Sequence, residues 1–553
     1  MDAVKFDWHW IATRVVAPLA AIYVAPFFYT WVRVRLAFYR LKEGGMPMLP
    51  WNPFLGNLPA LASFMKKAPT DAQAAMTFAL LAEELKLDNC FYMDTWPFGF
   101  SVLVVVSPDL AVQSCQTHDL AKPDSLIPLI APMSGGPTLF VQNGTEWKHG
   151  RALFHQGFSM RSVMGYVPYI LQEVDVFVGV LRDLSQSGDI FIFDEIACRY
   201  VMDIIGNVTM GTRFISQRRF HPIAAAMRDT IDRESQMETG NHLSRLSPVR
   251  RFKQWQNGRT MDHHIGVELE KRYQAWKGSD TSGSPASSAS KTIMDLAIAE
   301  YMKTRSGVGT TLDPTFKTWA INQIRLFLFV GHDSTAVTIM YALYLLSKHP
   351  DILAKIRAEH DEVLGRDLSN TATLVAEKPE SIYKLPYTLA VIKETLRLFA
   401  PANGLREGRP DVTLRDKKTG TTYPTDGFAI WILHHAIHRN PQHWPEPHAF
   451  IPDRWLVEPN HPLYPPPGAW RPFEHGQRDC LGQTLALLDI QVTLLMTVRE
   501  FDFKDQYAEW DRQHPKHGLN TVFGERAYMI QAGAGRPAQG MPCKVSLSAR
   551  SQY

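Results

Sequence analysis

From Phe316 to His349 apolar residues recur densely at spacings of three and four, with no proline inside the run. That pattern predicts one long helix buried around most of its circumference. Leu481 to Val498 predicts a second helix, beginning directly after Cys480. Two segments read differently. Cys90 to Pro108 is a β-branched and aromatic run broken at Pro97 and Gly99, and predicts a β-hairpin. Val412 to Tyr423 predicts a second hairpin, turning through Asp416 to Gly420. Gly278 to Ser290 is polar and of low complexity, as in a flexible surface loop. No internal repeat is present, and most of the remaining chain reads as helix. The fold class expected is mainly α with small β-sheets.

The amino-terminal segment carries its own signal. Val15 to Val32 contains no charged residue and as a helix would span about 27 Å, close to the hydrocarbon thickness of a bilayer. Arg33, Arg35, Arg40 and Lys42 follow at once, so the carboxyl side is expected to face the cytoplasm. A cleaved signal peptide carries its positive charge before the apolar run, so an uncleaved anchor is expected, tilted or kinked at Pro18 and Pro26. An interfacial or core helix is the alternative. Pro47, Pro50, Pro53 and Pro59 then predict a stiff connector. The expected organisation is an anchor with its basic flank (1–45), a proline-rich linker (46–60) and one α-rich domain (61–553).

Composition narrows the function classes. Hydrophobic residues make up 45% and charged residues 20% of 553 residues, which is globular and not disordered. Lysine plus arginine number 58 against 55 acidic residues, a net charge of +3 that gives no support to nucleic-acid binding. The 5 cysteines are scattered, with no C-x-x-C pair, which argues against a disulfide framework and a structural zinc site. His263–His264 and His434–His435 are adjacent pairs, poorly placed to chelate one ion, and read as surface or packing residues. Ala532 to Arg536, AGAGR, lacks the strand–helix context of a nucleotide-binding loop and reads as a turn.

The strongest chemical signal is PFEHGQRDCLG at Pro472 to Gly482, which fits F-x-x-G-x-R-x-C-x-G with Phe473, Gly476, Arg478, Cys480 and Gly482. A chance match in such a chain is on the order of one in ten thousand. Cys480 stands just before a helix, whose free N–H groups and positive end favour a thiolate over a thiol. The segment resembles the proximal haem loop of the cytochrome P450 superfamily. In that resemblance Cys480 is the axial ligand of iron protoporphyrin IX (haem b), and Arg478 reaches a propionate. A thiolate ligand pushes electron density to iron and favours cleavage of the O–O bond.

Four further motifs stand in the family's order. FVGHDSTAVT at Phe329 to Thr338 resembles the oxygen-activating motif, with Gly331, Asp333 and Thr335 matching and Ser334 in place of the usual threonine. A glycine inside a buried helix costs roughly 1 kcal/mol against alanine. Here the resemblance gives it room for dioxygen as the reason, with Asp333 and Ser334 relaying protons. KETLR places Glu394 and Arg397 on one helix face, and the family adds Arg454 of FIPDRW to form a buried structural network. Trp147 and Arg151 of WKHGR, and Arg406, match residues that hold the haem propionates.

The resemblance implies a cytochrome P450 fold and a monooxygenase that inserts one oxygen atom from dioxygen into a lipophilic substrate. Electrons would come from NADPH through a membrane-bound cytochrome P450 reductase, with cytochrome b5 as a second donor, at the cytoplasmic side of the endoplasmic reticulum. Leu126 to Phe140, Leu326 to Phe329, Ala402 to Leu405 and Tyr528 to Ala534 are the implied pocket segments, mostly apolar. FEHGQRDCLGQ and HDSTAVTIMYALYLLSKHPD resemble fungal members of secondary metabolism, acting on polyketides or terpenoids. Two alternatives stay open: a haem-thiolate isomerase or dehydratase that does not use dioxygen, and a non-catalytic membrane haem-binding protein.

Overall fold

A helix of 35 residues, Pro314–Lys348, runs through the middle of the molecule. Asp313 caps it, accepting from the backbone N–H groups of Thr315 and Phe316 at 3.0 and 3.1 Å, with Pro314 at the first turn. Every position from Thr335 to Leu346 is buried, so the apolar pattern has no solvent face there. Helices Phe193–Met210 and Gln483–Thr497 pack against it and form the main core with it. The computed structural model describes residues 17–238, 247–278, 291–304, 310–515 and 518–552, together with Arg14. Of the expected polar loop Gly278–Ser290, all but Gly278 lies outside these residues.

The predicted hairpins form. Strands β1 (Cys90–Asp94) and β2 (Ser101–Val105) pair antiparallel, Cys90 opposite Val105. β3 is Phe191–Ile192 and β4 is Gly404–Glu407; β5 (Thr413–Arg415) and β6 (Thr422–Pro424) make the second hairpin. β7 (Ala429–Ile432) lies parallel to β2 and antiparallel to β4, giving a sheet of order β1-β2-β7-β4. β8 (Phe501–Asp505) and β11 (Pro542–Leu547) build a three-stranded sheet with β3, and β9 (Met529–Ile530) pairs with β10 (Arg536–Pro537).

The amino-terminal helix spans Ala17–Glu43 and continues through Pro26. Val15 and Val16 lie outside the described residues. Its exposed side chains include Ile22, Phe27, Phe28, Tyr29 and Val32. Among the described residues, the helix long and apolar enough to cross a membrane is the core helix Pro314–Lys348. Arg35, expected in the basic flank, is buried in an ion pair with Asp94, and Trp51 also donates to Asp94 at 3.1 Å.

The proline-rich stretch is not a spacer. Its extended backbone docks on the first hairpin: the Tyr92 N–H donates to Pro47 O at 2.9 Å, and buried Asn57 donates to Leu49 O and accepts from Asp94 N. The expected linker 46–60 is therefore part of the body. Pro47, with no N–H of its own to satisfy, offers its carbonyl to the sheet edge, whereas Pro59 sits in the first turn of helix Leu58–Met65.

Glu394 sits on the buried face of helix Pro386–Leu398 and accepts from Arg397 at 2.8 and 3.0 Å, from Arg454 at 2.9 Å, from Trp455 Nε1 at 3.1 Å and from Ile451 N at 3.1 Å. Arg397 also donates to the carbonyls of His438, Pro447 and Ala449. All three charged side chains are 0% exposed. The network fastens the irregular segment after His434–Arg439 to a helix.

Arg454→Ala is expected to lower unfolding free energy by about 3–5 kcal/mol, because it strips a partner from a carboxylate that stays buried; thermal denaturation checks this. A second expectation concerns Asp489, buried beside Tyr200 and Thr493. Burial pushes its carboxyl up to about 7, against the hydrogen bonds that lower it. The native state then binds the extra proton, so this group's contribution falls as pH rises from about 4 and levels off above about 7. Asp489→Asn should stabilise the protein by on the order of a few kcal/mol at pH 8 and by less at pH 5, read from melting curves at both.

Candidate active site

The segment Pro472–Gly482 has no regular secondary structure, so its shape rests on single contacts. Gly476 adopts φ +87°, and a Cβ there would stand 2.3 Å from the Cys115 carbonyl oxygen, so only glycine lets the loop close on the chain beside it. The Cys480 N–H donates to Phe473 O at 2.9 Å, folding the loop back on itself. Gly482 caps helix Gln483–Thr497, so two residues separate the cysteine from the helix, which does not start directly after it. The other four cysteines are buried, whereas Cys480 is accessible. It is nonetheless closely surrounded: desolvation and the neighbouring Asp479 charge raise the thiol's pKa, while the N–H groups of Gly482 and Gln483 and the Arg151 charge work the other way.

Trp147 and Arg151 lie on helix Gly144–His155, one turn apart. Arg478 stacks on Trp147 at 4.2 Å and donates to Asn143 Oδ1 at 2.7 Å. Arg151 was expected to hold a propionate. In the structure its guanidinium pairs with the Asp479 side chain and donates to Asp479 O at 2.8 Å, so it braces the cysteine loop from outside. The reason is proximity: Asp479 adjoins Cys480 and presents its carboxylate to that helix.

Arg406, on β4, is 1% exposed, yet its Nε and Nη2 have no hydrogen-bond partner among the described residues. Lys122 belongs to the same cluster: burial, then the nearby Arg406, push its ammonium down to about 7. Burial and the same arginine lower Arg478 to about 10. The idle donors of buried Arg406, with the cations Lys122 and Arg478 close by, fit a dianionic group, and the two propionates of haem would meet that requirement with the Cys480 thiol as the metal donor. Sequence reasoning missed Lys122, which lies in no motif, and Phe158. The latter lies 4.0 Å from where a Cβ on Gly482 would be, and stacks toward Phe327 of the central helix at 5.6 Å, so it joins the cysteine loop to that helix.

The central-helix residues separate. A Cβ on Gly331 would stand 2.6 Å from Ile205 Cγ1 and Cδ1, so this glycine lets helix Phe193–Met210 approach; room for dioxygen is not what its vacant position faces. Asp333 points to the β9–β10 turn. Arg536 donates to its Oδ1 at 3.1 and 2.8 Å, and Ala534 N donates at 2.5 Å to Oδ2. Burial opposes its charge, but Arg536 and His332 hold the carboxyl below the usual range. Arg536 also pairs with Asp194 and, at 3.0 Å, with Asp232. Ser334 donates to Val330 O at 3.0 Å, and no hydrogen bond joins it to Asp333 among the described residues. Thr335 is buried. The AGAGR stretch is the expected turn, and its tight approach depends on Gly533, where a Cβ would lie 2.0 Å from Asp333 Oδ2. The flanking glycines were a legible signal of close approach; the partner of Arg536 was not.

Comparison with known proteins bears on this geometry. The family model described as Cytochrome P450 matches residues 47–531. The cytochrome P450 monooxygenase polC of Polytolypa hystricis is 36% identical over 542 residues, covering 97% of this chain and 95% of that protein. The cytochrome P450 monooxygenase acrF of Aspergillus aculeatus is 33% identical over 501 residues, covering 87% and 98%. The crystal structure of the cytochrome P450DA heme domain superposes with a TM-score of 0.68 at 20% identity, covering 91% of this chain and 98% of that one, which shows a shared fold. With the family model spanning nearly the whole body, this chain belongs to the cytochrome P450 family.

Proposed function

We propose that this protein is a haem-thiolate monooxygenase acting on a lipophilic substrate, a fungal secondary metabolite of polyketide or terpenoid type, with Cys480 as the axial ligand. The monooxygenase class rests on family membership across 47–531 and on relatives aligned nearly end to end. One observation carries the site assignment: the only accessible cysteine among the described residues lies in a glycine-shaped loop that reaches buried Arg406, whose Nε and Nη2 donors are unused. Haem bound there would supply dioxygen activation. Arg406, Lys122 and Arg478 would hold its carboxylates, and Trp147 would fix Arg478 by stacking.

On the central helix, Val330 and Ser334 lie one turn apart on one face, where Val330 is 37% exposed and Phe329, Gly331 and Ser334 are partly exposed, in a helix buried on most other positions. That face is proposed to meet substrate. Protons would pass through the Ser334 hydroxyl once it leaves the Val330 carbonyl, and Asp333 would supply them only by loosening from Arg536. The exposed aromatic and aliphatic side of helix Ala17–Glu43 supports a single-pass anchor in the endoplasmic reticulum, with the body in the cytoplasm. The electron source proposed is NADPH through a membrane-bound cytochrome P450 reductase, with cytochrome b5 as a second donor.

The reduced protein under carbon monoxide is expected to show the long-wavelength Soret band of sulfur ligation, and Cys480→Ser to abolish it; a normal band in that variant would remove Cys480 from the metal. Asp333→Asn is expected to cut product formation with reductase by about 10²-fold or more and to lower the melting temperature, since Arg536 loses the most deeply buried of its three counter-charges. Product yield and NADPH consumption measured together would show whether the loss lies in proton delivery.

A further inference from the structure

Glu474 is an acid in a place otherwise built for an anion. It stands one residue after Phe473 in the cysteine loop and adopts φ +61°, a left-handed conformation that a side chain with a Cβ rarely takes. Its carboxylate turns inward, leaving the side chain 12% exposed. Arg471 donates to Oε1 from Nε at 3.1 Å and from Nη2. His434 Nε2 lies 3.7 Å from Oε1, and Arg406 Nη2 lies 3.7 Å from Oε2. Gly404, on the same strand as Arg406, makes the space: a Cβ there would stand 2.2 Å from Oε2.

The hydrogen bonding around this carboxylate is incomplete. Glu474 Oε2, Arg406 Nε and Nη2, and His434 Nε2 are all buried without a hydrogen-bond partner among the described residues. Three elements therefore bring idle polar atoms to one spot, next to the cations assigned to the haem carboxylates. Burial opposes the charge on Glu474, but His434, Arg471 and Arg406 hold its carboxyl well below the ordinary range, so it is anionic at neutral pH.

A carboxylate here does not help to hold another carboxylate. If its role were to pair Arg471, it would not need to approach Arg406 and His434 through a strained backbone and a glycine-made gap. What a fixed negative charge does in a poorly solvated site is raise the free energy of any nearby group that gains an electron. We propose that Glu474 is a positioning residue that sets the reduction potential of the haem at Cys480, holding the ferric state against uptake of one electron from the reductase. This rests on the haem-thiolate reading above. In that step the iron centre gains one electron and one unit of negative charge, and no bond to Glu474 forms or breaks.

The test is a potentiometric titration of the purified, haem-containing full-length protein without substrate, at one pH. Glu474→Gln keeps the shape and removes the charge. It is expected to shift the ferric–ferrous equilibrium toward ferrous by on the order of tenfold, a midpoint about 59 mV more positive for one electron. Glu474→Asp keeps the charge and should stay near the unaltered value. A lower melting temperature with an unchanged midpoint in Glu474→Gln would overturn the proposal, as would equal shifts in Gln and Asp. Should Glu474→Gln fail to retain haem, Glu474→Ser is read in the same way. If both neutral variants lose haem while Glu474→Asp keeps it, Glu474 serves retention and the proposal is overturned. Absence of the sulfur-type carbon monoxide band in the unaltered protein would sink the parent reading instead, and is seen before any variant is titrated.

Discussion

Cys480 has to be presented, accessible, from a loop with no helix or strand of its own, and the surrounding structure meets that constraint. Gly476 removes the Cβ that would strike the Cys115 carbonyl, Phe473 O takes the cysteine's N–H, and Arg151 pins Asp479 next door. A loop held at several points from different elements has little freedom to refold around a cofactor, and that rigidity is what a metal ligand requires. The helix after Gly482 adds its free N–H groups, which lower the thiol's pKa against the burial that raises it.

Behind that loop lies the Glu394 network. Five donors converge on one carboxylate, and Arg397 satisfies three further carbonyls, His438 at the end of a short helix and Pro447 and Ala449 in the irregular segment leading toward the loop. Without hydrogen bonds from a sheet or helix, that segment needs polar groups supplied from elsewhere. A buried arginine does so with several directional donors at once, which lysine cannot match.

Charge is distributed unevenly around the site. On one side Lys122, Arg406 and Arg478 crowd together, and burial followed by the charge of Arg406 weakens the protonation of Lys122 and Arg478. Across the central helix, Asp333, Asp194 and Asp232 gather around Arg536. The first set fits a bound dianion. The second set is satisfied internally, with Asp333 accepting from Arg536 and from Ala534 N.

The elements and the candidate ligand were legible along the chain. Periodicity set the central helix and both hairpins to within a few residues, because these depend on local backbone preference and a repeating apolar face. The pattern PFEHGQRDCLG and its family resemblance marked Cys480, and spacing put Glu394 beside Arg397, because one helical turn fixes that distance. Tertiary structure decided what each charged side chain touches. Arg151 went to Asp479, Asp333 to Arg536, Gly331 to Ile205, and the proline stretch to the first hairpin, each over a separation that no local pattern encodes. A long polar side chain reaches whichever counter-charge the packing brings near, and packing is a property of the whole chain.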